Sequence, residues 1–230
     1  MNLSGKFFIV TGAFGFLGQA VTACMIAHGA RLALVGKRPG PRVNHPADAL
    51  LYTGIDLSQA DAAAEVFERI SKETGRIDGL VNLAGGFHWD KLQGGTLESW
   101  ESMFRINLLT AVVSCEAVLP YLLRSEAGAI VNIGSLGAVK ATCGMGAYAA
   151  SKAGVVKLTE ALADEMKDRG ITVNAILPSV IDTPRNRADM PGADFTRWVS
   201  PKAVAEVIVF LVSDLARAIS GATLPVAGRA

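Results

Sequence analysis

The chain has 230 residues, half of them hydrophobic and 19% charged. That is enough apolar side chain for one large domain and too little charge for a disordered or fibrous one. Its 22 basic and 21 acidic side chains nearly cancel, which excludes the electrostatic footprint of a nucleic-acid or anionic-membrane binder.

Met1 to Lys6 leads into an apolar run of only four residues, Phe7 to Val10, too short for an export signal. The most apolar segment elsewhere, 203–212, is short and carries Glu206, so no membrane span is expected and a cytoplasmic protein is. Cys24, Cys115 and Cys143 form no close-spaced pair. Neither a disulfide framework nor a metal site is expected, and the three thiols read as small buried hydrophobes.

Short β-rich runs alternate with helical patterns along the whole length. Strands are expected at 6–11, 31–36, 50–54, 79–83, 129–134, 171–176 and 222–226, several of them continuous enough in Val, Ile, Leu and Phe to be covered on both faces. Leu17, Val21, Cys24, Met25 and His28 share one helical face, which Gly29 closes. Ser58 with Asp61 has the spacing of a capping box, followed by Val66, Phe67 and Ile70 and closed by Gly75. Ser200-Pro201 reads as an N-cap followed by Pro at the first helical position, opening a helix to about Val212. Strand–helix alternation without hairpin signals implies right-handed crossovers, hence an α/β fold with a doubly wound parallel sheet of about seven strands and helices on both faces. No composition break or linker divides the chain, so residues 1–230 are expected to form a single domain.

Four motifs fall at the carboxyl ends of these strands, where open α/β sheets bind ligands. Thr11-Gly12-Ala13-Phe14-Gly15-Phe16-Leu17-Gly18 stands between the first strand and first helix. Its glycines suit a sharp turn, a close approach to pyrophosphate and tight helix packing, with the helix N-terminus aimed at the phosphates. Asn82-Leu83-Ala84-Gly85-Gly86 follows the fourth strand and Ile133-Gly134-Ser135 the fifth, and Tyr148-Ala149-Ala150-Ser151-Lys152 opens a helix. Tyr148 and Lys152, four apart, project from one helical face. A free phenol titrates near 10, and bringing it down by about three units takes roughly 4 kcal/mol. A neighbouring ammonium together with an oxidised nicotinamide is suited to supply much of this.

In this order the motifs resemble the short-chain dehydrogenase/reductase family in its compact single-domain branch, over nearly the entire chain; Asp56, Asn107 and Pro178-Ser179 extend the match. The resemblance implies a Rossmann-type fold and an NAD(P)(H)-dependent oxidoreductase acting on a small-molecule carbonyl/alcohol substrate. It implies a catalytic set of Asn107, Ser135, Tyr148 and Lys152: Tyr148 as proton donor or acceptor, Lys152 also bonding the nicotinamide ribose, Ser135 orienting the carbonyl or hydroxyl, and Asn107 holding a relay water. The implied dinucleotide contacts are Gly12, Phe14, Gly15, Phe16 and Leu17 at the pyrophosphate, Lys37 and Arg38 near the adenosine ribose, and Asp56 and Leu57 at the adenine. Asn82, Ala84, Gly85, Ile133, Tyr148 and Lys152 follow along the cleft, and Pro178, Ser179, Val180, Ile181 and Thr183 lie toward the nicotinamide. The branch usually has glycine where Phe16 stands; here the middle glycine is Gly15. A homo-oligomer, tetramer or dimer, is also implied.

No acid stands after the second strand before Asp48, whereas Lys37 and Arg38 do. Two cations there suit the 2′-phosphate of NADP(H), with NAD(H) as the alternative. Residues 182–198 are similar to the corresponding segment of quinoid dihydropteridine reductases, as is Gly85-Gly86 followed by an aromatic. Ser135, generally lacking there, favours carbonyl chemistry over pterin chemistry, and a non-catalytic dinucleotide sensor has no need of the trio Ser135, Tyr148 and Lys152. With two prolines, a glycine and mixed charge, 183–198 reads as a mobile substrate lid. His88 and Trp89 are candidates for the cleft mouth.

Overall fold

The computed structural model describes residues 1–38, 49–125 and 127–229; Asp48 lies outside them. Strands β1 (Phe7–Thr11), β2 (Arg31–Gly36), β3 (Leu50–Thr53), β4 (Gly79–Asn82), β5 (Ala129–Ile133), β6 (Thr172–Pro178) and β7 (Thr223–Val226) form one sheet. The order is β3-β2-β1-β4-β5-β6-β7, and every pairing is parallel. The winding reverses between β1 and β4. The carboxyl ends of those two strands therefore flank the crevice in which such sheets take ligands.

Helices α1 (Phe16–Ala27), α2 (Ala60–Thr74), α3 (Leu97–Met103), α4 (Thr110–Leu122), α5 (Gly146–Met166), α6 (Pro184–Asp189) and α7 (Pro201–Leu211) complete the domain. Side chains alternate across β1, so Phe8 and Val10 enter a core with Val21 and Met25 of α1 and Val204 and Ile208 of α7. Phe7 and Ile9 enter the opposite core with Phe67 and Ile70 of α2, Val118 of α4 and Leu162 of α5. All five β1 residues are buried, which is why the strand reads as a continuous apolar run.

Strand ends shift by a residue or two from expectation, most at β6. There Leu177 and Pro178 continue the pairing with Pro225 and Val226; a proline at a strand end removes no ladder bond that the sheet needs. The Ser58–Asp61 capping box does not form. The Ser58 N–H and hydroxyl both donate to Asp56, and α2 begins after Gln59 without a side-chain cap. Ser200 does cap α7, accepting from the Ala203 N–H at 3.1 Å. Cys143 is exposed, not buried. Among the described residues, the segment long and apolar enough to cross a bilayer by length and composition alone is Leu97–Leu122, not 203–212. It comprises α3, a π-helical turn and α4, and packs as a layer helix against α2 and α5.

Candidate active site

The glycine-rich turn is built by close backbone approaches. The Thr11 hydroxyl accepts the N–H groups of Leu83 and Ala84, both at 3.2 Å, tying the end of β1 to the chain leaving β4. Gly12 has φ +62°, and a Cβ there would stand 2.7 Å from the Ala84 nitrogen. A Cβ on Gly18 would meet the Gly12 and Ala13 carbonyl oxygens at 2.5 Å. Gly15 is different: its backbone is extended at φ −78°, and its Cβ would meet only the Gly12 oxygen, at 3.4 Å. Gly15 is the N-cap of α1, with no side-chain bond over the first turn and no acid in it. Such an uncapped terminus, cradled by backbone, fits the pyrophosphate of a dinucleotide. Phe14 is buried, its ring over Gly36, Leu17 is half-buried, and Phe16, first residue of α1, is 55% exposed.

At the end of β2, Lys37 and Arg38 are exposed. Lys37 Nζ stands 2.5 Å from an Asp56 oxygen. That ammonium, with the Ser58 hydroxyl, holds the Asp56 carboxyl down to about 2. Leu57 beside it is buried.

A second cluster gathers where β4, β5 and α5 meet. The Asn82 amide donates to Asn132 Oδ1 at 2.9 Å and to Cys115 Sγ at 3.4 Å, and Asn132 donates to the Thr159 hydroxyl at 2.9 Å. This buried chain pins β4, β5 and α5 together, and burial pushes the Cys115 thiol up to about 12. Next to Asn132, the Ile133 carbonyl accepts the Lys152 ammonium at 2.8 Å. Lys152 is buried, and desolvation brings it down to about 8. Asn107 lies in the π-helical turn 104–109 and is 1% exposed. Its Oδ1 accepts the Gly86 N–H at 2.9 Å, and its Nδ2 donates to the Gly86 carbonyl and to the Ser151 hydroxyl, both at 3.1 Å. Gly85 passes so close that a Cβ would lie 2.5 Å from Asn107 Oδ1 and 3.4 Å from Lys152 Nζ. Ala84 is half-buried alongside.

Ser135, buried at the end of β5, accepts the Gly137 N–H at 3.1 Å, so it caps a short turn. Its hydroxyl also reaches Tyr148, which packs edge-on against Phe87 with ring centroids 5.0 Å apart. Burial pushes the Tyr148 phenol up from 10 and the Ser135 hydroxyl pulls it part of the way back. The lowering expected from Lys152 is not realised in this arrangement: the ammonium is engaged by the Ile133 carbonyl and desolvation dominates at the phenol. Phe87 and Met145 border this cluster and fall in the two stretches, Phe87–Lys91 and Cys143–Met145, where the family resemblance expects substrate specificity to lie; Gly137, which borders it too, is not singled out by the sequence.

Pro178, the last residue of β6, is buried, and Ser179 after it donates its N–H to the Val226 carbonyl and its hydroxyl to the Ala227 carbonyl. The Val180 carbonyl accepts the Val199 N–H, and Ile181 bridges Val199. The expected loop carries its own structure. Thr183 caps α6 by accepting the Asn186 N–H at 3.2 Å. Arg187 clamps Asp182 with two bonds at 2.6 and 2.8 Å, its guanidinium over the Phe195 ring. Trp89 Nε1 donates to the Cys143 carbonyl at 3.0 Å, while His88 is exposed.

A cavity of about 440 Å³ opens at the amino end of the sheet. Among its charged side chains Lys6 pairs with Asp214 and Arg76 with Asp78, while Arg124 lies over the Tyr121 ring.

A family model described as short chain dehydrogenase matches residues 6–193. The chain is 35% identical to a D-threitol dehydrogenase of Mycolicibacterium smegmatis, over 99% of this chain and 93% of that one. It is 32% identical to the 3-oxoacyl-(acyl-carrier-protein) reductase FabG of Thermotoga maritima, over 99% and 98%. A solved NAD+-bound xylitol dehydrogenase superposes with a TM-score of 0.89 at 25% identity, covering 99% of this chain and 100% of that one. Built on the same sheet and matched along nearly its full length, the chain belongs to the short-chain dehydrogenase/reductase family of oxidoreductases.

Proposed function

We propose that this oxidoreductase transfers a hydride between a nicotinamide dinucleotide and a ketone/secondary-alcohol pair, with Tyr148 handling the substrate proton. The observation that carries the reading is the convergence of Ser135, Tyr148, Lys152 and Asn107 at the carboxyl ends of β4 and β5. The nicotinamide, when bound, supplies or accepts the hydride. Tyr148 gives its phenolic proton to the substrate oxygen in reduction and takes it back in oxidation. Ser135 donates a second hydrogen bond to that oxygen as it gains charge. Lys152, fixed by the Ile133 carbonyl, holds positive charge beside the dinucleotide and the phenol. Asn107 keeps Gly85 and Gly86 at the cleft wall.

The uncapped α1 N-terminus with Gly12, Phe14, Gly15, Phe16 and Leu17 would hold the pyrophosphate. Asn82, Ala84 and Gly85 would border the nearer ribose, and Pro178 to Ile181 with Thr183 the nicotinamide. Lys37 and Arg38 support NADP(H) as the preferred form. The NAD+ in the xylitol dehydrogenase structure keeps NAD(H) as the alternative. The substrates in the relatives' names, D-threitol and a 3-oxoacyl-(acyl-carrier-protein), support carbonyl/alcohol chemistry. A homo-oligomer fits the family reading.

The likeness of residues 182–198 to quinoid dihydropteridine reductases supports a second reading. A pterin ring brings readily protonated nitrogens and has less need of a serine hydroxyl. Rates of the parent and Ser135→Ala on ketones and on quinonoid dihydropterin separate the two. The carbonyl reading predicts ketone turnover that falls about a hundredfold or more in the variant; efficient pterin reduction indifferent to Ser135 would overturn it.

A further inference from the structure

The two chain segments that flank Tyr148 are bonded into one wall. Trp89 lies directly on Gly144: a Cβ there would stand 2.1 Å from its ring, and Gly144 has φ +77°. The Trp89 indole N–H donates to the Cys143 carbonyl at 3.0 Å, and the Asp90 N–H to the Gly144 carbonyl at 2.9 Å. Asp90 in turn accepts from the Ser99 hydroxyl at 2.6 Å and the Thr96 N–H at 3.2 Å. The Lys91 ammonium sits over the Trp89 ring, 5.7 Å from its centroid. Trp89 is thus a strut between 86–95 and 141–145, and the charges of this wall are spent on holding it.

Phe87 stands two residues before that strut. Its backbone follows Gly86, which Asn107 holds through both N–H and carbonyl. Its ring meets Tyr148 at 86° with centroids 5.0 Å apart, yet Phe87 is 43% exposed. One contact of the ring is therefore with the phenol, while much of its surface stays uncovered. Gly137 borders the same place without a side chain: a Cβ there would lie 3.4 Å from Ser135 Oγ, 3.7 Å from Tyr148 Cε1 and 3.0 Å from Met145 Cε. Beside the two hydroxyls there is thus an aromatic ring on an anchored stretch of backbone, a bare backbone position and a flexible thioether, a set suited to a flat apolar group.

We propose that Phe87, with Gly137 and Met145, forms a subsite for a planar, uncharged ring carried next to the reacting carbon of the substrate. The inference rests on the carbonyl/alcohol reading for what the neighbouring hydroxyls do, and adds the class of substituent. A planar π-system gains an offset or edge contact with Phe87 that a saturated ring of the same carbon skeleton lacks. Gly137 and Met145 set the room available to it.

The test uses the protein with its oxidised dinucleotide bound, a state in which a ketone binds without reacting. The affinities of 2-acetylnaphthalene and its decahydro counterpart are compared by ligand-observed NMR titration in the parent, Phe87→Tyr and Phe87→Leu. Dinucleotide affinity in each variant checks that the fold is kept. The expected result is an affinity for the aromatic ketone at least about fivefold above the saturated one, kept in Phe87→Tyr and lost in Phe87→Leu. No preference in the parent, or the same preference in Phe87→Leu, would overturn the subsite. Turnover of the two ketones with the reduced dinucleotide is measured separately. A protein that binds the aromatic ketone through Phe87 but reduces neither ketone contradicts the carbonyl reading and leaves the subsite standing; reduction of both ketones at Phe87-independent rates does the reverse.

Discussion

Lys152 is held by Ile133: its buried ammonium donates to that carbonyl at 2.8 Å. The carbonyl belongs to β5, beside Asn132, whose bonds to Asn82 and Thr159 fix the strand against β4 and α5. The position of the charge is therefore set by the sheet, and burial brings its titration from 10.5 down to about 8.

This shift predicts a pH dependence of stability. Below pH 8 the lysine is charged in both states, and the folded state bears the cost of burying it. Between about 8 and 10.5 the folded lysine has lost its proton and the unfolded one has not. The unfolded state then binds more protons, so stability rises with pH across that window, by at most about 3 kcal/mol. The raised Tyr148 phenol acts oppositely above its usual 10, so the difference between parent and Lys152→Met isolates the lysine. Urea unfolding at pH 7.5 and 10 should show Lys152→Met gaining less on alkalinisation than the parent; an equal change in both would contradict it.

Lys37 is engaged by Asp56, which would compete for its ammonium with the 2′-phosphate of the proposed NADP(H). Asp56→Asn releases Lys37 and removes a negative charge, while any effect on the shared adenine is common to both dinucleotides. An exposed pair of this kind is worth up to about 1 kcal/mol. The NADPH-to-NADH affinity ratio should therefore rise about fivefold. An unchanged ratio by calorimetry would place Lys37 away from the phosphate.

The glycines of the first turn should differ sharply in what they tolerate. Gly18→Ala drives a Cβ into two backbone oxygens at 2.5 Å and should cost about 2 kcal/mol or more. Gly15→Ala meets one atom at 3.4 Å in an ordinary backbone conformation and should change stability by less than about 1 kcal/mol. Thermal unfolding of both variants checks this; equal losses would contradict the assigned roles.

The sheet was legible because buried parallel strands are continuous apolar runs, as in Phe7–Thr11, and because β1, β3, β4, β5 and β7 are each followed by a glycine within three residues. The grouping of Ser135, Tyr148 and Lys152 was legible from their order at strand ends. Local hydrogen bonding was not. Ser58 turns back to Asp56 instead of capping α2, a competition between two short-range partners that spacing alone does not resolve. The Arg187 clamp on Asp182 orders a segment whose prolines and mixed charge read as loop. The contact of Phe87 with Tyr148 joins residues 61 positions apart in the sequence, beyond any local pattern. The apolar helix Leu97–Leu122 was masked by Glu98, Glu101 and Arg105 in its first turns.

The role of Tyr148 as proton donor and acceptor is tested most directly by the turnover of Tyr148→Phe beside its dinucleotide affinity. Only the hydroxyl exchanges a proton, while the ring packs against Phe87. Loss of the hydroxyl should lower kcat by about a thousandfold or more and leave dinucleotide affinity within about threefold of the parent, less than 1 kcal/mol. Turnover within about tenfold of the parent, far less than loss of a general acid/base entails, would contradict it.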